Sequence, residues 1–420
     1  MESEEKNKVV SMLVWLCITL FYCYQLVLRM LPNAIMTDIM TKYSIGASEF
    51  GSFAGIYYIG YIIVHIPVGM LLSRFGGKIV LPIAIACTAL GLIPLVYFDS
   101  WTSVIIGRVL TGVGSSAAIV GALQIFRILY PAKFSRMLGF MVFFGLITAV
   151  YAGVPISQII QSIGMDYTVS ILLYSGIVLA FVTYVLMPKS TNTASESSML
   201  GDIKAIIFNY RLFFTSIFAG LMVGPVEGFA DAWGSAFLIN VYGIEKTIAN
   251  SITLSVLLGM CAGCIILPYI AEKTKLYFGV TIFSGLVMIL GFVYILNGKA
   301  SADSLYYACI IIGVFCAYQV VIIAKIASFV SSDRSGMAAA IANMIIMFFG
   351  WVFHNSIGMR LDSLWDGEML GDMKIYSADA FISSISIIPA AISIAIVGLV
   401  IIAMSNIVRV RLAQKVNSLK

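Results

Sequence analysis

Apolar runs long enough to cross a bilayer recur along the chain. They cover 10–36, 48–72, 79–98, 101–127, 136–161, 168–187, 211–240, 247–271, 277–297, 304–330, 337–358 and 380–408, and short polar joints separate them. A span takes roughly 20 mostly apolar residues. Backbone in lipid must satisfy its own hydrogen bonds, so each run is expected to be a helix. The pattern predicts an all-α integral membrane protein with twelve transmembrane helices. Several runs exceed about 25 residues, which implies tilt or extension beyond the bilayer.

The joints set the direction of the chain. Twelve spans place both termini on one side. That side collects 17 of the 25 Lys and Arg residues, and the other side holds five. Arg29, Arg108 and Lys325 fall inside spans. Cations accumulate in short cytoplasmic loops, so both termini are expected in the cytoplasm. The net charge of +5 is therefore topological: its expected partner is the bilayer, not nucleic acid. Composition agrees, since 61% hydrophobic and 11% charged residues lie outside the range of soluble domains. All seven cysteines fall in apolar runs and read as small core residues rather than a disulfide framework. Cys261-x-x-Cys264 has no further ligand nearby. The start, MESEEKNK, is mixed in charge and no small-residue cleavage site follows the first run, so no removable signal peptide is expected.

Residues 188–210 interrupt the apolar pattern with a Pro-led, Ser/Thr-rich stretch. It reads as a linker. The expected organisation is a six-helix half at 1–190, a cytoplasmic linker at 191–210 and a second six-helix half at 211–420. A degenerate repeat supports the division. Setting Gly69 against Pro268, Ser73 against Glu272 and Arg74 against Lys273 gives a constant offset of 199 residues.

The joint between spans two and three is GMLLSRFGGK, Gly69 to Lys78. It resembles the Gly-x-x-x-Asp-Arg-x-Gly-Arg-Arg signature of the major facilitator superfamily. Gly69, Arg74, Gly76 and Lys78 match, while Ser73 replaces the family's Asp and Gly77 an Arg. The family's Asp is thought to latch the cytoplasmic gate through charge pairs, and Ser73 removes that latch. Span four, Gly107-Arg108-Val109-Leu110-Thr111-Gly112-Val113-Gly114, resembles a second superfamily motif. Its small residues also give a face for close helix packing. In span five Gly145, Gly153 and Pro155 resemble an exporter motif only in poor spacing. Phe-Tyr-x-Tyr followed by Leu-Arg-x-x-Pro in span one resembles the branch of amino-acid and related nutrient transporters of intracellular bacteria. That resemblance covers about the first 140 residues. It implies the two-half major facilitator fold, an address in the bacterial inner membrane and function as a monomer.

Ionisable groups inside spans are costly and mark solute or proton pathways. Arg29 follows Tyr22 and Tyr24 in span one and is a candidate to hold substrate; snorkelling to the outer interface is its other reading. Glu227 and Asp231 lie four apart in span seven, on one helix face. Two close carboxylates resist simultaneous ionisation, which suits proton coupling. An acid pair merely neutralised by Arg29 or Arg108 is the other reading. Gly224 and Pro225 allow the helix to break there. Arg108 is linked to coupling by the family pattern, or is a structural partner. Lys325 lies near the cytoplasmic end of span ten, so Gln319 and Tyr318 are better lining candidates. His65 and His354 stand alone and read as core histidines. No cluster has metal-ligand spacing, no cofactor is implied, and no Gly-rich phosphate loop follows a strand, so neither an enzyme nor an ATPase is expected.

The reading is alternating-access secondary transport of an amino acid or small peptide, driven by a proton, with sodium as the alternative ion. Substrate-binding residues are Arg29, Tyr22, Tyr24, Glu227 and Gln319. Glu227, Asp231 and Arg108 couple to the proton, and Gly69, Ser73, Arg74, Gly76 and Lys78 form the gating loop. An organic or phosphorylated anion, export of drugs or siderophores, and a non-transporting nutrient sensor are the competing functions.

Overall fold

The computed structural model describes residues 2–130, 134–188, 208–330, 335–370 and 373–417. Most of the expected linker, 191–207, lies outside the described residues. Among the described residues twelve helical rods follow one another up and down. They are α1 (Glu2–Tyr43), α2 (Ala47–Ile63 and His65–Phe75), α3 (Gly77–Leu90 and Ile93–Tyr97), α4 (Trp101–Leu129), α5 (Phe134–Ile163) and α6 (Met165–Leu186). They continue with α7 (Tyr210–Gly228, Phe229–Trp233 and Gly234–Tyr242), α8 (Lys246–Thr274) and α9 (Tyr277–Leu296). The last are α10 (Ala302–Cys316 and Tyr318–Ala327), α11 (Ser335–Ser363) and α12 (Ala378–Ile385 and Ile387–Asn417). Between α11 and α12 lies a small antiparallel hairpin, β1 (Met369–Leu370) and β2 (Met373–Lys374). Among the described residues ten rods are long and apolar enough to cross a membrane, and α2 joins them as a pair bent by 43°.

Proline chemistry explains three of the breaks. A proline has no N–H for the carbonyl four residues earlier and its ring clashes there. The first pieces of α2, α3 and α12 end at Ile63, Leu90 and Ile385, each four residues before Pro67, Pro94 and Pro389. Pro32, Pro82, Pro155, Pro225 and Pro268 sit inside helices that continue through them.

Close backbone packing shapes each set of six helices. A Cβ on Gly60 would stand 2.3 Å from the Val109 carbonyl oxygen, and one on Gly112 2.1 Å from that of Tyr57, so α2 and α4 touch backbone to backbone. The same pattern joins α8 to α10: a Cβ on Gly259 would meet the Ile310 oxygen at 2.0 Å, and one on Gly313 the Val256 oxygen at 1.9 Å. Gly60 and Gly259 are 199 residues apart. So are Gly76 and Lys275, which follow α2 and α8 with φ of 74° and 59°. Only a turn that must change direction abruptly repays a left-handed lysine.

The two sets of six meet mainly at the end of the bundle away from the termini, the distal end. There α2 packs on α11, with Gly51 against the His354 carbonyl and Gly358 against that of Ala47. α5 packs on α8, where Asn250 Nδ2 donates to Ser157 Oγ at 2.7 Å. An apolar cluster of Leu26, Met30, Leu146, Ala149, Leu254 and Leu257 continues that seam inward.

Candidate substrate and coupling site

Below the distal seam lies a cavity of about 330 Å³. It is lined by α1, α2, α4, α5, α7, α8, α10 and α11. That volume suits a small metabolite. On its wall Arg29 joins both acids of α7. Its Nη2 donates to Glu227 Oε1 at 2.8 Å and its Nε to Asp231 Oδ2 at 2.9 Å. Tyr58 of α2 donates its hydroxyl to the same Asp231 oxygen, and the Arg29 guanidinium lies 5.3 Å from the centre of its ring. Four apolar-span residues from three helices thus form one polar knot.

The local fold of α7 builds this knot. The helix runs through Gly224 and Pro225 rather than breaking there, which corrects the expectation of a broken span. The irregularity comes four residues later, as a π-turn over Phe229–Trp233 that carries Asp231. Such single turns occur where a side chain must be re-aimed. Trp233 anchors the far end of the turn by donating its indole N–H to the His354 carbonyl at 3.2 Å.

Charge in the knot does not balance. One guanidinium faces two carboxylates, and Glu227 Oε2 and Asp231 Oδ1 are buried without a hydrogen-bond partner among the described residues. An unpaired buried charge costs several kcal/mol. The knot therefore has room for one more positive group, whether a proton or an ammonium.

Five of the residues singled out from sequence line the cavity: Tyr22, Arg29, Glu227, Asp231 and Gln319. Tyr24 does not. Its hydroxyl donates to the Leu172 carbonyl at 2.9 Å and its ring packs on Gly176, so it faces α6, two residues round the helix from Tyr22. Arg108 does not line it either. It donates to the carbonyls of Leu28 (2.8 Å) and Arg29 (3.2 Å), and its guanidinium lies over the rings of Tyr57 and Phe53 at 4.9 and 5.3 Å. Arg108 holds the backbone that presents Arg29. Tyr318 is fully buried and donates to the Ala219 carbonyl at 2.6 Å. Lys325 lies near the rings of Tyr277 and Phe329, away from the cavity.

His65 Nδ1 is 3.2 Å from Ser116 Oγ, just past the bend of α2. His354 Nδ1 is 2.6 Å from the Gly350 carbonyl, which fixes that nitrogen as the donor. In the gating loop, Lys78 Nζ donates to the Met187 carbonyl at 2.7 Å, just past the C-terminus of α6, where a cation suits the helix dipole. Gly76 makes the turn, Arg74 lies beside the Phe75 ring, and Gly69 accepts from Gln124 Nε2 at 3.1 Å. The Ser73 side chain lies outside the described residues.

Sequence reasoning missed Tyr58, Gln25 and Asn343. Gln25 Oε1 accepts from Tyr57 at 2.7 Å, and Tyr57, Tyr61 and His65 continue as a ladder of rings down α2. Their spacing of four was the available signal.

Polytopic architecture, a cavity between two sets of six helices and intramembrane charges define a membrane transporter rather than an enzyme. The chain belongs to the Major Facilitator Superfamily, whose sequence model matches residues 16–353. It is 31% identical to the inner membrane transport protein YajR of Escherichia coli (strain K12) over 196 residues, 44% of this chain and 42% of that protein. It is 32% identical to an uncharacterized transporter of Buchnera aphidicola subsp. Schizaphis graminum (strain Sg) over 111 residues, 25% of this chain and 28% of that protein. The chain spans less than half the length of these curated relatives. Among solved structures it resembles the nucleoside transporter NupG, with a TM-score of 0.72 at 13% identity over 94% of this chain and 98% of that one. A bacterial homolog of the human lysosomal transporter Spinster, inward-facing and unoccupied, gives 0.73 at 15% identity over 94% and 96%. These likenesses show the fold alone.

Proposed function

We propose that this transporter moves a small zwitterion, an amino acid or short peptide, by alternating access with proton symport. The observation that carries the reading is the knot of Arg29, Glu227 and Asp231 in the cavity. Arg29 offers the fork that a carboxylate fits, and it is occupied by two acids. A proton on either acid frees part of that fork for the substrate carboxylate. The remaining carboxylate is then available to the substrate ammonium. Proton and substrate thus enter together, and leaving the acids bare during the swing between states is costly.

The distal seam is closely packed and the cavity lies on the termini's side of it, which supports a state that faces the side of the termini. The cation distribution supports assigning that side to the cytoplasm. In this reading the halves 1–190 and 211–420 rock about the knot, joined by the linker 191–210, in a bacterial inner membrane and as a monomer. The test is uptake of labelled amino acids into proteoliposomes, with and without an inward proton gradient. Uphill accumulation that follows the gradient supports the reading. Exchange indifferent to both pH and membrane potential would remove the proton, and no exchange of any amino acid would remove the substrate class.

A further inference from the structure

We propose that Gln319 and Asn343 form a recognition point for a carboxamide on the transported solute, so that glutamine- or asparagine-like amino acids are preferred. This rests on the zwitterion reading above and narrows its substrate class. Gln319 lies on α10 and Asn343 on α11, and both line the same cavity as the knot. Gln319 Nε2 donates to Asn343 Oδ1 over a long 3.4 Å. Neither side chain makes another hydrogen bond among the described residues.

The pair therefore leaves acceptor capacity on Gln319 Oε1, and a second lone pair on Asn343 Oδ1, beside free donors on Asn343 Nδ2. An acceptor next to a donor is the complement of a primary carboxamide, which brings one donor group and one acceptor. A carboxylate brings two acceptors and leaves Gln319 Oε1 facing a like group. An aliphatic or thioether chain satisfies neither. The neighbours Cys316, Val320, Ile323 and Met347 are apolar or weakly polar, so an unmet amide there has little compensation from protein. Both side chains are half-buried, and a site built to hydrogen-bond its substrate discriminates against the analogue that lacks the bond. Two of the other polar groups are already engaged, Gln25 with Tyr57 and Tyr58 with Asp231, while the Tyr22 and Tyr61 hydroxyls, one polar atom each, cannot offer a carboxamide the paired donor and acceptor of a second amide. The knot supplies the ends of the zwitterion and the amide pair supplies the choice between side chains.

The experiment is competition in counterflow. Purified protein in proteoliposomes exchanges a labelled amino acid, and unlabelled glutamine, asparagine, glutamate and methionine are compared as competitors. Glutamine or asparagine should compete about tenfold better than glutamate and methionine, the scale of one or two hydrogen bonds. Asn343→Leu and Gln319→Met should each cut that ratio severalfold without reversing the order of the other competitors. The wild-type ranking decides even where a variant fails to fold. Exchange of amino acids with no carboxamide preference overturns this inference and leaves the coupling reading standing. A preference unchanged in both folded variants also overturns it. Absence of amino-acid exchange altogether overturns both.

Discussion

Asp362 Oδ2 accepts the backbone N–H of Ser48 at 2.6 Å, so a carboxylate near the end of α11 caps the start of α2. The loop after α11 supports this cap. Lys374 and Tyr376 donate to Asp362 Oδ1 at 3.0 and 2.7 Å, and the Tyr376 oxygen accepts the N–H of Ala47 at 2.7 Å. Burial, with the hydrogen bond to Asp362 behind it, raises the Tyr376 pKa, so its hydroxyl stays a donor at neutral pH. A helix start has unsatisfied N–H groups and a partial positive charge. Here the opposite set of helices satisfies them, and opening the distal end must strip them.

Asp362→Asn should therefore release the distal gate. Hydrogen bonds to a charged group are worth about 1.5–3 kcal/mol, and about 1.4 kcal/mol is a tenfold change in population. A cysteine at Ser235, buried on the distal chamber between α1 and α7, reports the change through labelling from the distal side. Labelling should rise about tenfold in the variant. No rise would remove Asp362 from the gate.

The missing acid at Ser73 gives the converse at the other end. Ser73→Asp should add a charge pair with a neighbouring loop cation and stabilise the state that is closed on the side of the termini. A partly exposed pair is worth at most about 1 kcal/mol. Unchanged accessibility of both gates in the variant would count against a latch at this position.

Two glycine contacts of equal tightness should behave differently. Gly358 meets the Ala47 carbonyl across the seam between the two sets of six helices, whereas Gly112 meets that of Tyr57 within one set. Gly358→Val should leave folded protein biased toward distal opening. Gly112→Val should lower the yield of folded protein, because α2 and α4 have no alternative arrangement. Detergent-resistant yield and distal cysteine labelling separate the two. Equal losses of yield would show that the α2–α11 seam is structural.

At the knot, Glu227→Gln and Asp231→Asn keep shape and remove the exchangeable charge. The variant at the coupling acid should lose uphill uptake and keep substrate exchange. Arg29→Lys should weaken binding, since an ammonium cannot reproduce the bidentate fork. Arg108→Gln should weaken substrate binding while the proton stoichiometry of the remaining transport stays, because Arg108 touches the Arg29 carbonyl and not the acids. If both acid variants retained full uphill uptake under a pH gradient, coupling would lie elsewhere, with His65 next in line.

Most of the fold was legible in the sequence. The apolar runs found all twelve rods, and the 199-residue offset recurs in the Gly60 and Gly259 contacts. The internal structure of the rods was less legible. Pro67, Pro94 and Pro389 break their helices, yet Pro225 does not, and nothing in its neighbours' composition separates the cases. Intramembrane charge pointed to Arg29, Glu227 and Asp231 because charge in lipid is rare. Tyr58 and Asn343 carried no such rarity: a tyrosine or asparagine in a long apolar run is common, and its partner lies on another helix. Arg108 is the opposite case. Its charge was conspicuous, but two carbonyls absorb it.

The π-turn of α7 can be counted as a single additional residue in an otherwise regular rod. One residue turns an α-helix by about 100°. The stretch Gly234–Tyr242, which borders the distal chamber, is therefore out of phase by that angle with the stretch that carries Glu227. Deleting Ala230 or Ala232 would restore an even helix and rotate one stretch against the other, swinging Trp233 away from the His354 carbonyl. The chain length of this one helix, rather than the identity of any side chain on it, sets the angle between the stretch that carries Glu227 and Asp231 and the stretch that borders the distal chamber. Length variants at this point form a class of change that substitution scans would never sample.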